Sequence, residues 1–236
     1  MKYVSLHNHS EFSNLKIIDS INKFSNMINY ARELGLSGLA LTDHDCLSGS
    51  FEAIDLYRQK LKSEWKNKYE DKEFPGYEVA AKDLDFKVIV GNEIYLSEEG
   101  LDESQMDGKH PVHFWHLILL AKDKEGYNQL KKLSSSAWKR AWFRGILRTP
   151  TYPSDLFNIV QGNHIIAASA CLGGYTAWCW KQIKETGEKE FYLSKLDNHI
   201  AAMTQLFGEG NYYLELQPNE EGSDQNEYNK FMINRY

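Results

Sequence analysis

Apolar residues follow two different rhythms along this chain. Short unbroken apolar runs occupy residues 3–6, 39–42, 86–90, 117–121, 165–169 and 212–216, and each reads as a buried strand. Between them apolar residues recur in steps of three and four. Ile21, Phe24, Met27, Ile28, Ala31 and Leu34 trace one helical stripe, with Gly35 where a C-cap belongs. Further helices are expected over 50–62, over 127–142, in two stretches across 176–207, and from residue 226 onward. Residues 60–73 are dense in charge and read as a solvated insertion reaching to near residue 85. Strands alternating with helices predict an α/β fold with a mainly parallel sheet. No glycine-rich dinucleotide loop follows the first strand, which favours a barrel over a doubly wound sheet. The chain is expected to form one domain over 1–236.

Composition narrows the function classes. With 236 residues, 42% of them apolar and 25% charged, the chain can bury a sizeable core, which excludes bulk disorder. No stretch approaches the ~18 apolar residues of a membrane span. The N-terminus lacks the apolar segment of a signal peptide. Three cysteines, Cys46, Cys171 and Cys179, are too few and odd in number for a disulfide framework, which points to a reducing, cytoplasmic setting. A net charge of −6 argues against a protein that grips nucleic acid with its whole surface, while leaving room for a local basic patch.

The candidate chemistry lies where predicted strands end. His7-Asn8-His9 closes the first strand, where a bend can turn both imidazoles into one site. Two exposed polar residues are an equal reading. Thr42-Asp43-His44 closes the second strand, with Asp43 either a helix N-cap or a partner that orients His44. Glu93 directly follows the third strand, and Cys171 lies just beyond the fifth. A barrel gathers such ends into one mouth, so four strands ending in metal-type ligands weigh more than each alone. Imidazole, carboxylate and thiolate donors together suit zinc, manganese or iron. His110, His113 and His116 precede the fourth strand, as a ligand pair or as one ligand with two bystanders. His164 and His199 read as structural.

Residues 126–154 hold Lys131, Lys132, Lys139, Arg140, Arg144 and Arg148 with no acidic residue, interleaved with Trp138, Trp142 and Phe143. Lys139, Arg140 and Arg144 are candidate nucleic-acid contacts. The plainer reading is a basic helix whose stripe of Leu130, Leu133, Ala137 and Ala141 faces the core.

Val4-Ser5-Leu6-His7-Asn8-His9-Ser10-Glu11-Phe12-Ser13 resembles the opening of the polymerase and histidinol phosphatase (PHP) domain. More narrowly, it is similar to that domain as it stands at the N-terminus of bacterial DNA polymerase III alpha subunits, in family C. The similarity continues through Leu39–His44, Val90–Tyr95, His116–Lys122, Gly126-Tyr127, Ala170–Gly174 and Tyr212–Gln217, in family order. It implies a distorted seven-stranded (βα) barrel carrying up to three divalent metals: zinc, manganese, iron or magnesium. Of the family's nine ligand positions seven have counterparts: His7, His9, Asp19, His44, Glu93, His116 and Cys171. Asp19 lies three residues later than the family spacing, with Lys16 at the expected place.

The last two ligands of the family, an Asp-x-His pair, have no counterpart before Tyr236, and neither the closing strand nor a polymerase palm is present. The expectation is therefore an N-terminal piece of a DNA-directed DNA polymerase, or half of a split gene. Its partners would be DNA, the rest of the polymerase chain and other replisome subunits, with no membrane. The metal site would support 3′–5′ exonuclease proofreading or be structural. The rival readings are a stand-alone phosphoesterase acting on histidinol phosphate or nucleotide ends, and a non-catalytic scaffold.

Overall fold

The computed structural model describes residues 3–15, 20–105, 112–144 and 146–236. They fall into two compact units, Met1–Asn92 and Glu93–Tyr236.

In the first unit β1 (Val4–Ser5) leads through a 3-10 turn (Glu11–Leu15) to α1 (Phe24–Glu33), then β2 (Gly38–Leu41), α2 (Ser50–Lys68), α3 (Tyr77–Asp83) and the start of β3 (Lys87–Leu96). β1 pairs parallel with β2, and β2 parallel with β3, in the register Leu39 to Val88 and Leu41 to Val90. Phe24, Ile28 and Ala31 of the α1 stripe pack with Leu39, Leu41, Ala53 and Phe86 into one core cluster. The helix stops as the sequence suggests. Gly35 takes φ +71°, and the Gly35 and Leu36 amides return to the Arg32 and Ala31 carbonyls.

β3 continues into the second unit. There follow β4 (Trp115–Ala121), α4 (Lys124–Lys139), a hairpin of β5 (Trp142–Arg144) and β6 (Ile146–Arg148), α5 (Pro153–Ile159) and β7 (Ile165–Ala168). The chain ends with α6 (Tyr175–Thr186), α7 (Lys189–Phe207), β8 (Tyr212–Tyr213) and α8 (Asp224–Arg235). The hydrogen-bonded strand order is β1-β2-β3-β4-β7-β8, with β5 and β6 in their own two-stranded sheet. β7 and β8 are parallel, but β4 and β7 are antiparallel, so the parallel expectation holds for only part of the ladder. The main sheet has six strands among the described residues. Among them no helix is long and apolar enough to cross a membrane.

Four local differences from the sequence reading have physical causes. The 60–73 stretch is no solvated loop at its start. α2 runs on to Lys68 because Leu61 and Trp65, one turn apart, are buried at 1% and 8% exposure while the charges point outward. β3 does not end at Val90, because the polar pair Asn92-Glu93 is itself buried inside the strand, Asn92 donating to the Asp43 and Cys46 carbonyls and Glu93 Oε1 facing His116. The helix expected over 127–142 ends at Lys139. Trp142, Phe143 and Ile146 are aromatic or β-branched, and such residues favour the strands of the hairpin. β8 is short because the Glu215 amide donates to the Ser169 hydroxyl (2.9 Å) instead of to a ladder carbonyl.

Truncating Leu61 tests the α2 assignment. Leu61→Ala should lower unfolding free energy by about 2–5 kcal/mol, whereas the neighbouring surface change Lys60→Ala should stay within about 0.5 kcal/mol. Equal small effects in urea denaturation would return this stretch to a solvated insertion.

Candidate metal-binding clusters

The first unit gathers three histidines. His7 and His9 flank Asn8, and Asn8 is fixed on all sides. Its amide nitrogen donates to the Ser5 and Ala40 carbonyls (3.1 and 3.0 Å) and its amide oxygen accepts from the Ser5 hydroxyl (2.8 Å). Its backbone exchanges hydrogen bonds with Thr42, whose amide donates to the Asn8 carbonyl at 2.9 Å. With Asn8 held against β2, the imidazoles on either side of it meet, Nε2 to Nε2, at 3.2 Å. His44 stacks on His9 with ring centroids 4.3 Å apart.

Asp43 organises this cluster. Its carboxylate is buried at 2% exposure and accepts from the Ser10 amide (2.6 Å), the Ser10 hydroxyl (2.8 Å) and the Ser13 hydroxyl (2.9 Å). Ser13 has one hydroxyl proton, and Asp43 takes it. The Ser13 oxygen must then accept from His9 Nδ1 at 3.0 Å, and it also accepts from the His44 amide at 3.2 Å. Neutral His9 is thereby fixed with its proton on Nδ1 and its lone pair on Nε2, the nitrogen that faces His7. Asp43 thus acts on His9 through Ser13, and the same hydroxyl ties it to the His44 backbone amide. The sequence reading gave Asp43 a role toward the His44 ring and gave Ser13 none. The signal for Ser13 was its place in the 3-10 turn, four residues after His9.

The second unit gathers three different donors. Glu93, fully buried in β3, places Oε1 2.9 Å from Nδ1 of His116, the second residue of β4. The Cys171 sulfur lies 3.8 Å from the same nitrogen and accepts from the Gly173 amide at 3.4 Å. The Cys171–Gly174 turn is sewn to β4 by the His116 amide donating to the Gly173 carbonyl (3.0 Å). Gly173 has no alternative, since a Cβ there would sit 2.8 Å from His116 Nδ1. Burial pulls the His116 imidazolium down. Hydrogen bonds and charge from Cys171 and Glu93 more than offset this and push its pKa up to about 9.

The other sequence candidates separate cleanly. His113 lies between the rings of Trp115 (5.4 Å) and Trp178 (5.3 Å), so it is a bystander to His116. His110 and Asp19 lie outside the described residues. His164 pairs with Asp123 at 2.7 Å, and His199 stacks on Tyr175 at 4.3 Å, with burial driving its pKa down to about 4. Arg140 is not available as a nucleic-acid contact. Its guanidinium pairs with Asp155, donates to the Pro150 carbonyl (3.2 Å) and lies 4.2 Å over the Tyr152 ring. Nothing is described of the Arg144 side chain.

The donors fit divalent metals. Metal–nitrogen arms of about 2.0–2.1 Å at a tetrahedral angle set two nitrogens about 3.3 Å apart, and the His7 and His9 nitrogens stand at 3.2 Å.

The profile of the PHP domain matches residues 5–219. The chain belongs to the PHP domain family. Similar proteins include "Probable DNA polymerase YorL" of Bacillus subtilis and the "DNA-directed DNA polymerase" of Bacillus phage SPbeta. Each is 33% identical over 225 residues, covering 91% of this PHP chain and 16% of its own length. The DNA polymerase III subunit alpha of Treponema pallidum is 29% identical over 220 residues, covering 92% of this chain and 15% of its own. The PHP chain thus spans about a sixth of the length of the relatives it matches. The crystal structure of a Bifidobacterium adolescentis protein, provisionally assigned as a metal-dependent phosphoesterase, covers 59% of this chain and 35% of its own. Its TM-score is 0.31 at 18% identity, too slight a likeness to bear on the fold.

Three measurements probe these clusters. Ser13→Ala should weaken divalent-metal affinity about 10–100-fold, read by competition with a chromogenic chelator. Ser10→Ala removes a donor to Asp43 without touching His9, so it should lower stability by about 1–3 kcal/mol and leave metal affinity near wild type. In metal-free protein, NMR titration should place His116 near pKa 9. Because that value exceeds the ~6.5 of an unfolded chain, its contribution to stability is complete below pH ~6.5 and fades as pH rises through about 9. Titration at an ordinary value would show that Glu93 and Cys171 do not face it.

Proposed function

We propose that this chain is the N-terminal PHP portion of a replicative DNA-directed DNA polymerase. We read its sheet as a seven-stranded PHP barrel of which six strands are described, and its His, Glu and Cys clusters as holders of up to three divalent metals. The observation that carries this reading is the PHP match over residues 5–219 in a chain whose relatives are DNA polymerases about six times longer. His7, His9, His44, Glu93, His116 and Cys171, with Asp19, are the proposed ligands. Zinc, manganese, iron and magnesium are the candidate ions, with Cys171 favouring zinc in its own part of the set.

A bound divalent ion would supply Lewis-acid charge at a phosphodiester and lower the pKa of its water. The chain's own residues prepare the ground for it. Ser13 and Asp43 hold the His9 lone pair in place. Glu93 and Cys171 hold a proton on His116 that a metal must displace, so loading should release protons. Cleavage of a DNA 3′ end is the reaction this donor set would serve, and a purely structural metal is its less active form. The proposed partners are DNA, the remaining polymerase chain and other replisome subunits, in a cytoplasmic setting.

Metal analysis of purified protein tests the reading. Bound zinc, manganese or iron should be found, and chelation should lower the melting temperature. His7→Ala with His9→Ala should lose bound metal, and the 3′–5′ trimming of labelled single-stranded DNA should fall with it. Absence of bound metal, with no response of melting temperature to chelator, would overturn the metal assignment. A downstream reading frame lacking both an Asp-x-His pair and a palm would overturn the polymerase one.

A further inference from the structure

We propose that the solvent face of α4, together with the adjoining hairpin, is a contact surface for single-stranded DNA. The inference rests on the polymerase reading only for the choice of nucleic acid among polyanions.

α4 divides its residues sharply. Leu130, Leu133 and Ala137 are buried at 0–2% exposure, while Lys131, Lys132 and Lys139 stand exposed on the other side. These lysines, with Ser135 and Ser136, line a shallow surface groove of about 470 Å³. Glu125 is the one acidic residue in its lining, and the Asn128 amide donates to it at 3.3 Å. Some exposed lysines elsewhere on this acidic chain do find carboxylates: Lys68 with Asp83, Lys82 with Glu78, Lys184 with Glu227. Among the described residues Lys131, Lys132 and Lys139 have no ion pair. Lys131 lies only against the Tyr127 ring, at 4.9 Å. A chain with 33 acidic and 27 basic residues keeps three like charges unneutralised on one helix face. Such a cationic face attracts a polyanion electrostatically, with a strength set by salt.

The hairpin begins three residues after the helix. Trp142 pairs with Arg148, and both lie against Phe114, with the Arg148 guanidinium 4.7 Å over that ring. Strand alternation turns Phe143 to the opposite face, where it is 70% exposed. An exposed phenyl four residues along the chain from Lys139 suits unpaired bases, which can stack, rather than a duplex, whose bases cannot.

The test is fluorescence anisotropy of a labelled oligothymidylate against NaCl, in EDTA so that no metal contributes. Wild type should bind with a marked salt slope. Lys131→Gln, Lys132→Gln and Lys139→Gln together should flatten the slope by about 2, at about 0.7 per single-strand phosphate contact, with melting temperature unchanged. Phe143→Ala should weaken binding about fivefold or more at an unchanged slope. Equal slopes for wild type and the triple variant would overturn the proposal, as would absence of binding. Displacement by poly-glutamate at equal charge concentration would assign the face to an acidic protein instead, and also overturn it. Failure of the metal reading shows separately, as loss of metal content with DNA binding intact.

Discussion

The first cluster depends on one buried carboxylate. Asp43 is almost removed from water, and a lone ionised carboxylate there would cost several kcal/mol. It is tolerated because an amide and two hydroxyls converge on it. Those donors come from Ser10 and from Ser13 of the 3-10 turn that follows it, so satisfying Asp43 folds that segment over the end of β2. Asn92 completes the arrangement from the other side of the loop, its amide donating to the Asp43 and Cys46 carbonyls at 2.7 and 3.0 Å. The structural demand of a buried charge and the chemical demand of an oriented imidazole are met by the same hydroxyl, that of Ser13.

The second cluster solves a different problem. Three unlike donors, a carboxylate, an imidazole and a sulfur, come from three separate stretches of chain and must be brought within 4 Å. β3 and β4 supply two of them. The third comes from a turn that follows β7, and the Gly173 backbone binds that turn to the His116 amide while leaving room for the ring. The environment then favours the charged imidazole when no metal is present, because hydrogen bonds and charge from Glu93 and Cys171 favour the cation more than burial disfavours it.

The chain belongs to the PHP family, and the relatives it matches are far longer DNA polymerases; the polymerase role is the one proposed above. In that setting two kinds of phosphate recognition would share one chain. Soft and borderline donors would hold metals at short range. An unpaired lysine row on α4 would hold the backbone of a strand electrostatically, with a reach set by salt.

Much of this was legible along the chain. The apolar rhythms placed all six main strands and most of the helices, because a run or a stripe must be buried wherever it occurs. His7, His9, His44, Glu93, His116 and Cys171 stood out, because few buried strand ends carry such donors. The sequence could not show that Glu93 lies within its strand, since Asn92-Glu93 looks like a strand end until its buried partners are known. It could not choose between His113 and His116 without family likeness, because spacing alone leaves both beside the strand. Nor could it separate Arg140 from Lys139, neighbours of similar charge. Asp155, fifteen residues from Arg140, neutralises one and leaves the other in solvent. Local propensity and burial pattern are properties of the sequence. Which polar group meets which, and so which charge is spent and which remains, is fixed only when distant segments are brought together.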